Sequence, residues 1–522
     1  MLDRIETSGL AAHIKFLADD LLEGRAPSTR GGDLAAKYIA AQFEAAGLEP
    51  GGDKGTYFQQ VPILESVTDA GFALTAKGSG GSTERFTVPT DLVANTAVEK
   101  PSVDIAGPVV FVGHGIVAPE YKWNDYEGVD VKGKIVLVMV NDPAAPASEP
   151  TLFGGKALTY YGRWTYKFEE AVRQGAAGAI LIHTLETATY PWSVVQASWG
   201  GPQYSIPLDA GAPALALKSW ITEDAARRLA KAGGQDLDAL RRAATQRGTK
   251  AVDLGVTVEG TLKQRTTRRS SPNVIGVLRG KKPGESIIYS AHYDHIGMRP
   301  VDAGKDGIYN GARDNASGVA AILEIAEAFT TSRQRPDRSI YFISTTAEES
   351  GLLGSEYFAQ HPVMPIDKVA ANINIDSLNV YGPARELVLL GTERSSLQTD
   401  VQAAAKKWGR TVGQDSHPER GAFFRSDHFP LAKVGVPALS ITLADASSFV
   451  GPNAPRARKL SEEYNDTCYH QPCDQFSDQW DLSGAVADLR LLTDLGWQLA
   501  NAATVPTYNA GEQFARPRAK TR

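Results

Sequence analysis

Several features that mark other classes of protein are absent from these 522 residues. No uninterrupted apolar run is long enough to cross a bilayer. No basic stripe accompanies the formal net charge of -6, which argues against a nucleic-acid partner. The N-terminal stretch MLDRIETSGLAAHIKF has neither the basic start nor the apolar segment of a signal peptide. No G-x-S-x-G motif occurs, which argues against a serine hydrolase with a nucleophile elbow.

Cysteine is scarce as well, with Cys468 and Cys473 in CYHQPCD as the two examples. Two cysteines are too few for a disulfide framework or a cysteine-ligated zinc site. They can form a local bridge, which would stiffen the segment around His470 between them, or they can remain free thiols. The sequence leaves both states open.

The pattern of apolar runs divides the chain into three stretches. Residues 1–100 begin with two amphipathic helices and then become strand-like. In residues 101–258, short runs such as GPVVFVGHGI and GAAGAILIH alternate with helical segments, which predicts an inserted α+β unit. In residues 259–522, nearly continuous apolar strands such as SIIYSAHYD and RSIYFISTT alternate with helices. This alternation predicts an α/β domain with a mainly parallel sheet that helices cover on both faces.

Charged side chains stand where the predicted strands and loops of the last stretch meet one edge of that sheet. They are His292, Asp294, Asp314, Glu348, Glu349, Asp376 and His470. The carboxyl ends of the strands form the ligand-binding edge of an open α/β sheet. Each residue has an ordinary explanation by itself, and Asp314 stands where it could cap a helix. Together, with no lysine nearby in sequence and Arg313 as the nearest arginine, these carboxylates require cations among them.

The types of side chain indicate which cations these are. Imidazoles and carboxylates without thiolates suit zinc first, and manganese or cobalt next. The number of ligands fits two ions that share one aspartate. Of the adjacent Glu348 and Glu349, one would coordinate a metal and the other would be free to act as a general base. Asp294 can reach the second ring nitrogen of His292 and fix its tautomer.

At these residues the chain resembles metallopeptidase family 28, the co-catalytic zinc family that holds bacterial aminopeptidases and glutamate carboxypeptidase II. The similar motifs, in the order of the family, are AHYDHIG, GARDNASG, TTAEESGLLGS, NIDS, FRSDHFPLAKVGVPAL and YHQPCD. The opening helices are similar too, so the resemblance covers nearly the whole chain. Residues 101–258 resemble a protease-associated (PA) domain inserted into a zinc-exopeptidase-like sheet.

The resemblance implies two Zn²⁺ ions per chain, with Mn²⁺ or Co²⁺ as alternatives. The ligands of one ion would be His292, Asp314 and Asp376. The ligands of the other would be Asp314, Glu349 and His470, so that Asp314 bridges the pair. Glu348 would be the general base and then the acid, and Asp294 would orient His292. The family also has a cis peptide bond after the bridging aspartate, here between Asp314 and Asn315.

The implied activity is hydrolysis of peptides by an exopeptidase, first of all an aminopeptidase that releases N-terminal residues. The alternative is a carboxypeptidase or dipeptidase in which Arg313 or Arg425 binds a substrate carboxylate. Arg313 departs from many members, which have an acidic residue there. Tyr469 is a candidate for binding substrate or for core packing. A binding protein that has lost its chemistry would lack ligands, whereas this sequence keeps all of them.

The sequence gives less direct information about the cellular compartment and the oligomeric state of the protein. Relatives with this layout are mostly exported, and the cysteine pair is compatible with an oxidising compartment. We therefore expect a periplasmic or secreted protein whose signal has been trimmed from this sequence. The sequence does not indicate an oligomeric state.

Overall fold

The computed structural model describes residues 1–188, 191–282, 284–302, 304–332, 334–443 and 445–515. The chain divides into two compact units. The first unit consists of Met1–Ile63, Arg269–Ser416 and Ala422–Arg522, and the second of Leu64–Arg268 and His417–Gly421. The second unit thus begins before the boundary at residue 100 that the sequence predicted. The reason is that the strand Ala73–Gly78 pairs with the early part of the long strand Val252–Leu278.

The first unit contains a mixed sheet whose centre is parallel. From one edge to the other, its strands are Glu49–Pro50, the end of Val252–Leu278, Ser339–Thr345, Ser286–His292, Val369–Ile375, Ala438–Thr442, Glu386–Leu390 and Thr411–Val412. The four strands from Ser339–Thr345 to Ala438–Thr442 run parallel, and antiparallel strands flank them. This confirms the predicted mainly parallel sheet.

Burial explains why the central strands read as unbroken apolar runs. Every residue of Ser286–His292, Ser339–Thr345 and Val369–Ile375 is buried. A strand that is covered on both faces needs apolar side chains at every position rather than at alternate positions. Three polar residues in these strands pair with one another, since Ser290 donates a hydrogen bond to Asn374 at 2.7 Å and accepts one from Asn372 at 2.9 Å.

Helices cover the sheet of the first unit. They are Thr7–Leu17, Arg30–Ala45, Ser317–Thr330, Leu353–Gln360, Leu397–Lys407, His428–Lys433, Ala454–Thr467 and Ser483–Asn501. The helix Ser317–Thr330 is buried along almost its whole length and belongs to the largest apolar core of the unit. This helix begins directly after the segment that carries Asp314, so its burial holds that segment in place.

The second unit has its own mixed sheet and its own apolar cores. From one edge to the other, the strands are Thr83–Thr87, Ala73–Gly78, the start of Val252–Leu278, Ser102–Phe111, Ile135–Met139, Gly178–His183, Leu217–Thr222 and Leu92–Asn95. Its helices are Trp164–Arg173, Leu185–Ala188, Trp192–Trp199, Glu223–Ala232 and Leu237–Ala244. Within the part of the chain that the structure describes, neither unit contains a helix long and apolar enough to span a membrane.

Candidate metal centre

The order of the parallel strands brings the candidate residues to one edge of the first unit. Ser286–His292 precedes both of its neighbours in the chain, since Ser339–Thr345 lies on one side of it and Val369–Ile375 on the other. Such a reversal of strand order opens a crevice at the carboxyl ends of the strands. His292 ends the first of these strands, and Asp376 directly follows the third.

A continuous set of contacts joins the five predicted metal ligands. Nε2 of His292 lies 3.2 Å from an oxygen of Asp314 and 3.2 Å from an oxygen of Asp376. Nε2 of His470 lies 3.3 Å from the other oxygen of Asp314 and 3.1 Å from an oxygen of Glu349. Asp314 therefore directs one carboxylate oxygen to each imidazole. The side chains come from five separate segments of the chain, and the structure brings all five of them together.

Two neighbouring groups of side chains could each hold an ion. In one group, ligand atoms of His292, Glu348 and Asp376 lie within 4.8 Å of one another. In the other, the same holds for His295, Asp314 and Glu349. Within the described residues these two groups are adjacent parts of one cluster, since Asp314 also contacts His292. The donor set is imidazole and carboxylate, which fits zinc.

The charges in the cluster show why it suits cations. Burial lowers the pKa of His470, but Asp314 and Glu349 outweigh that effect and raise this pKa to about 10. Burial also opposes ionisation of Glu349, yet hydrogen bonds with His295 and His470 lower its pKa to about 2. Glu349 thus favours its charged form beside a positively charged His470. A divalent ion brings positive charge to the same positions.

Glu348 differs from its neighbour. Burial raises the pKa of Glu348 well above its ordinary value, and the charges of Asp376 and Glu349 act in the same direction. A carboxyl group with a raised pKa holds a proton more readily than an ordinary glutamate, which suits general acid and base chemistry. The two adjacent glutamates therefore have different electrostatic environments.

Asp294 contacts the site in a different way from the one predicted. Its carboxylate accepts the backbone N–H groups of Glu348 at 3.1 Å and Glu349 at 3.4 Å, and it lies 3.9 Å from Nδ1 of His292. The atom of Asp294 within hydrogen-bonding distance of Nδ1 is its backbone carbonyl oxygen, at 3.2 Å. The side chain orients the loop of the two glutamates, because their backbone N–H groups occupy its oxygens.

The segment around His470 is constrained by covalent structure. Cys468 and Cys473 form a disulfide that encloses His470, whose side chain is 33% exposed. The ring of Tyr469 stacks on the ring of His470 with centroids 3.9 Å apart, and Tyr469 is 39% exposed. Tyr469 is therefore accessible to a ligand rather than packed in the core. The peptide bond between Asp314 and Asn315 is cis, which agrees with the resemblance.

The two arginines proposed from the sequence occupy unlike positions. Arg313 is only 6% exposed, and its guanidinium lies 4.1 Å from the ring centroid of Tyr464 and 5.4 Å from that of Tyr381. This packing against two rings makes Arg313 a poor candidate for binding a substrate carboxylate. Arg425 is exposed and close enough to Tyr469 to affect the pKa of its hydroxyl.

Sequence reasoning missed three residues beside the ligands. His295 is buried, and its Nδ1 lies 2.7 Å from Glu349. A signal for it was present, because His295 lies three residues after His292 in the same motif. Asp474 accepts hydrogen bonds from the backbone of Arg313 and Asp314, and it lies four residues after His470. Arg25 is the third, and nothing local in the sequence distinguished it.

Comparisons with known proteins agree with this geometry. Residues 273–493 match the model of Peptidase family M28, and this range includes every predicted metal ligand. Aminopeptidase YwaD of Bacillus subtilis (strain 168) is 30% identical over 196 residues, 36% of this chain and 39% of the relative. Leupeptin-inactivating enzyme 1 of Streptomyces exfoliatus is 26% identical over 206 residues, 39% of this chain and 43% of the relative. The chain thus spans about two fifths of the length of these curated relatives.

The chain is also similar to a solved structure along nearly its whole length. The aminopeptidase from Aneurinibacillus sp. strain AM-1 has a TM-score of 0.50 and 20% sequence identity, and the likeness covers 97% of this chain and 96% of that one. At this level of identity the likeness shows the fold.

Proposed function

We propose that this chain, which belongs to peptidase family M28 through residues 273–493, is a zinc-dependent aminopeptidase that releases N-terminal residues from peptides. The observation that carries the proposal is the position of Asp314 between two imidazoles. Its two oxygens lie 3.2 Å from His292 and 3.3 Å from His470, as a carboxylate shared by two metal ions would. The curated relatives named above as an aminopeptidase and a leupeptin-inactivating enzyme support the same activity.

We infer a site for two zinc ions. His292, Asp314 and Asp376 would hold one ion, and Asp314, Glu349 and His470 would hold the other. When bound, zinc supplies a Lewis acid that polarises the scissile carbonyl and acidifies water. Manganese or cobalt could replace zinc in a site of this donor set.

The protein's own residues supply the remaining chemistry. Glu348 would take a proton from the attacking water on a carboxylate oxygen and deliver it to the nitrogen of the leaving amine. The negative charges of Glu348 and Asp376 would also attract the free α-amine of a substrate. Asp294 would hold Glu348 and Glu349 in position through their backbone N–H groups.

A carboxypeptidase or dipeptidase remains the second candidate because Arg425 is exposed near Tyr469. Peptides blocked at one end distinguish the two activities. An aminopeptidase cleaves C-amidated peptides and leaves N-acetylated ones intact. The reverse pattern would favour a carboxypeptidase and would refute the aminopeptidase proposal.

The role of Glu348 is tested by Glu348→Gln, with Glu327→Gln as the matched control. Glu327 is exposed on the helix Ser317–Thr330, away from the cluster of ligands. We expect Glu348→Gln to lose about 10²–10⁴-fold in kcat while its zinc content stays at the wild-type level. Glu327→Gln should keep both properties. A Glu348→Gln enzyme with normal turnover would contradict the assignment.

We also infer that the second unit is the protease-associated domain and that the protein acts in the periplasm or is secreted. The match to family M28 begins at residue 273, beyond the part of this unit formed by Leu64–Arg268. Disulfides such as Cys468–Cys473 persist mainly in oxidising compartments. Fractionation of the cells that produce the protein should recover it outside the cytoplasm, with Cys468 and Cys473 oxidised to the disulfide. Free thiols on a cytoplasmic protein would contradict the inferred location.

A further inference from the structure

The Arg25 side chain lies behind the candidate metal centre, although it is far from the ligands in sequence. It is completely buried. Its Nε donates a hydrogen bond to the carbonyl of Tyr293 at 2.8 Å, and its Nη2 donates one to that of Gly311 at 2.9 Å. Its Nη1 donates to the carbonyls of Leu17 and Asn310. The guanidinium thus joins the residue after His292 to the segment that leads to Asp314.

Asp474 binds the next part of the same segment. Its Oδ1 accepts the backbone N–H of Arg313 at 3.0 Å, and its Oδ2 accepts that of Asp314 at 3.0 Å. Its backbone carbonyl accepts the N–H of Ala312 at 3.0 Å. The hydroxyl of Tyr464 donates a further hydrogen bond to Oδ2 at 3.0 Å, which fixes the carboxylate.

The two side chains therefore hold residues 310–314 through both the carbonyl groups and the N–H groups of the backbone. Arg25 binds the carbonyls of Asn310 and Gly311, and Asp474 binds the N–H groups that follow. Because Asp474 is close to His470 in sequence, it connects the segment of one ligand with that of another. We call Arg25 and Asp474 the loop clamp.

Packing alone does not require a guanidinium at this position. Moving a charge out of water costs several kcal/mol, and apolar side chains of similar volume often replace buried charges without loss of stability. Burial lowers the pKa of Arg25 to about 10, while the charges of Asp294, Asp474, Asp314 and Glu349 act in the opposite direction. The buried cation thus stands where the carboxylates of the site need positive charge.

Glycine allows the close approach of the segment that carries Arg25. Gly24 has a φ of +68°, and a Cβ there would lie 2.5 Å from the carbonyl oxygen of Tyr309 and 2.6 Å from that of Gly297. The chain before Arg25 therefore passes directly against backbone that neighbours the site. This contact places the guanidinium within reach of its carbonyl partners.

We propose that Arg25 and Asp474 are positioning residues that hold Asp314 in its bridging orientation before metal binds, and that they thereby set the zinc affinity of the site. This inference rests on the proposed function, because it requires that the cluster binds zinc. Neither residue needs to touch zinc or substrate for this role. Residues that orient metal ligands typically change metal affinity about 10–100-fold when they are substituted.

The test uses Arg25→Lys and Asp474→Asn in the full chain. Lysine keeps the charge of Arg25 but cannot form the fork of hydrogen bonds to the carbonyls. Asparagine keeps the size of Asp474 but has one acceptor oxygen for the two N–H groups. If Arg25→Lys does not fold, Asp474→Asn alone carries the test, because both residues act on the same segment.

Matched controls come from buried charges elsewhere in the first unit. Arg338 is 2% exposed and donates to the carbonyls of Leu499 and Ala502. It precedes the strand Ser339–Thr345 and so lies at the opposite end of that strand from the ligands. Asp488 is buried and pairs with Arg410 at 2.8 Å. Arg338→Lys and Asp488→Asn should lower the melting temperature of the metal-free protein without lowering its affinity for zinc.

Zinc affinity is measured by competition with a chelator, and the melting temperature of each metal-free variant is measured alongside. We expect Arg25→Lys and Asp474→Asn each to bind zinc about 10–100-fold more weakly than wild type, and the double variant to lose little more than either single variant. If the two variants bind zinc as tightly as the controls do, the proposed role of the loop clamp is wrong. A wild-type protein that binds no zinc would overturn the proposed function as well, which distinguishes the two failures.

Discussion

A buried histidine away from the metal ligands makes the stability of the first unit depend on pH. His428 is fully buried, and burial lowers its pKa to about 3, with the charge of Arg394 acting in the same direction. In the unfolded chain a histidine has a pKa of about 6.5. Between these two values the unfolded state binds a proton that the folded state does not, so stability falls as the pH falls from about 6.5 towards 3.

The linkage relation gives the size of this effect. When the pH falls from 7.5 to 5.5, a histidine with these two pKa values lowers the free energy of unfolding by about 1.4 kcal/mol. His428→Leu removes the titrating group at nearly constant volume. We therefore expect the variant to lose about 1.4 kcal/mol less stability than wild type over this range, whatever its stability at pH 7.5.

The assay is urea unfolding of metal-free protein at both pH values. Unfolding is monitored by pulse-labelling hydrogen exchange in the strands of the first unit. Chelator removes the separate pH dependence of metal binding. His361→Leu is the control, because this side chain is exposed and remains in water in both states. If wild type and His428→Leu lose the same stability on acidification, the buried neutral histidine does not explain the pH dependence.

Three further outcomes follow from the same structure. Ile288→Ala, in the fully buried strand Ser286–His292, should cost about 2–5 kcal/mol in urea unfolding, and a loss below 1 kcal/mol would contradict the packing of that strand. Zinc at 100 times its dissociation constant should stabilise the protein by about 2.7 kcal/mol in thermal unfolding, and an unchanged melting temperature after chelation would argue against a native zinc site. Replacement of Cys468 and Cys473 by serine should cost at most about 2 kcal/mol, because the disulfide closes a short loop, and reduction of the wild type should produce the same loss.

The fold could be predicted because burial on two faces leaves a direct mark on the sequence. Strands such as Val369–Ile375 have no exposed position, so their apolar runs are continuous and predict a helix-covered parallel sheet. The limits of the second unit left no such mark. The strand Ala73–Gly78 is compatible with either unit by its composition, and its pairing with Val252–Leu278 decides the matter.

The candidate ligands could be predicted because parallel strands bring their carboxyl ends to a common edge. That rule needs only the end of each strand, so it located His292, Glu349 and Asp376 without knowledge of distances. It says nothing about which atom of a residue reaches a neighbour. For this reason the contact of His292 with Asp294 was assigned to the carboxylate, whereas the backbone carbonyl is the nearer group.

The buried arginines show why sequence proximity is a weak guide to electrostatic roles. Arg313 adjoins Asp314 in the chain, yet its guanidinium packs on the rings of Tyr381 and Tyr464. Arg25 is separated from Tyr293 by 268 positions, yet it is the arginine bound to the backbone that supports the ligands. Arg338 is buried to a similar degree and binds carbonyls at the end of the helix Ser483–Asn501, where a cation stabilises the helix dipole. Burial alone therefore does not mark a functional charge, and the identity of its partners does.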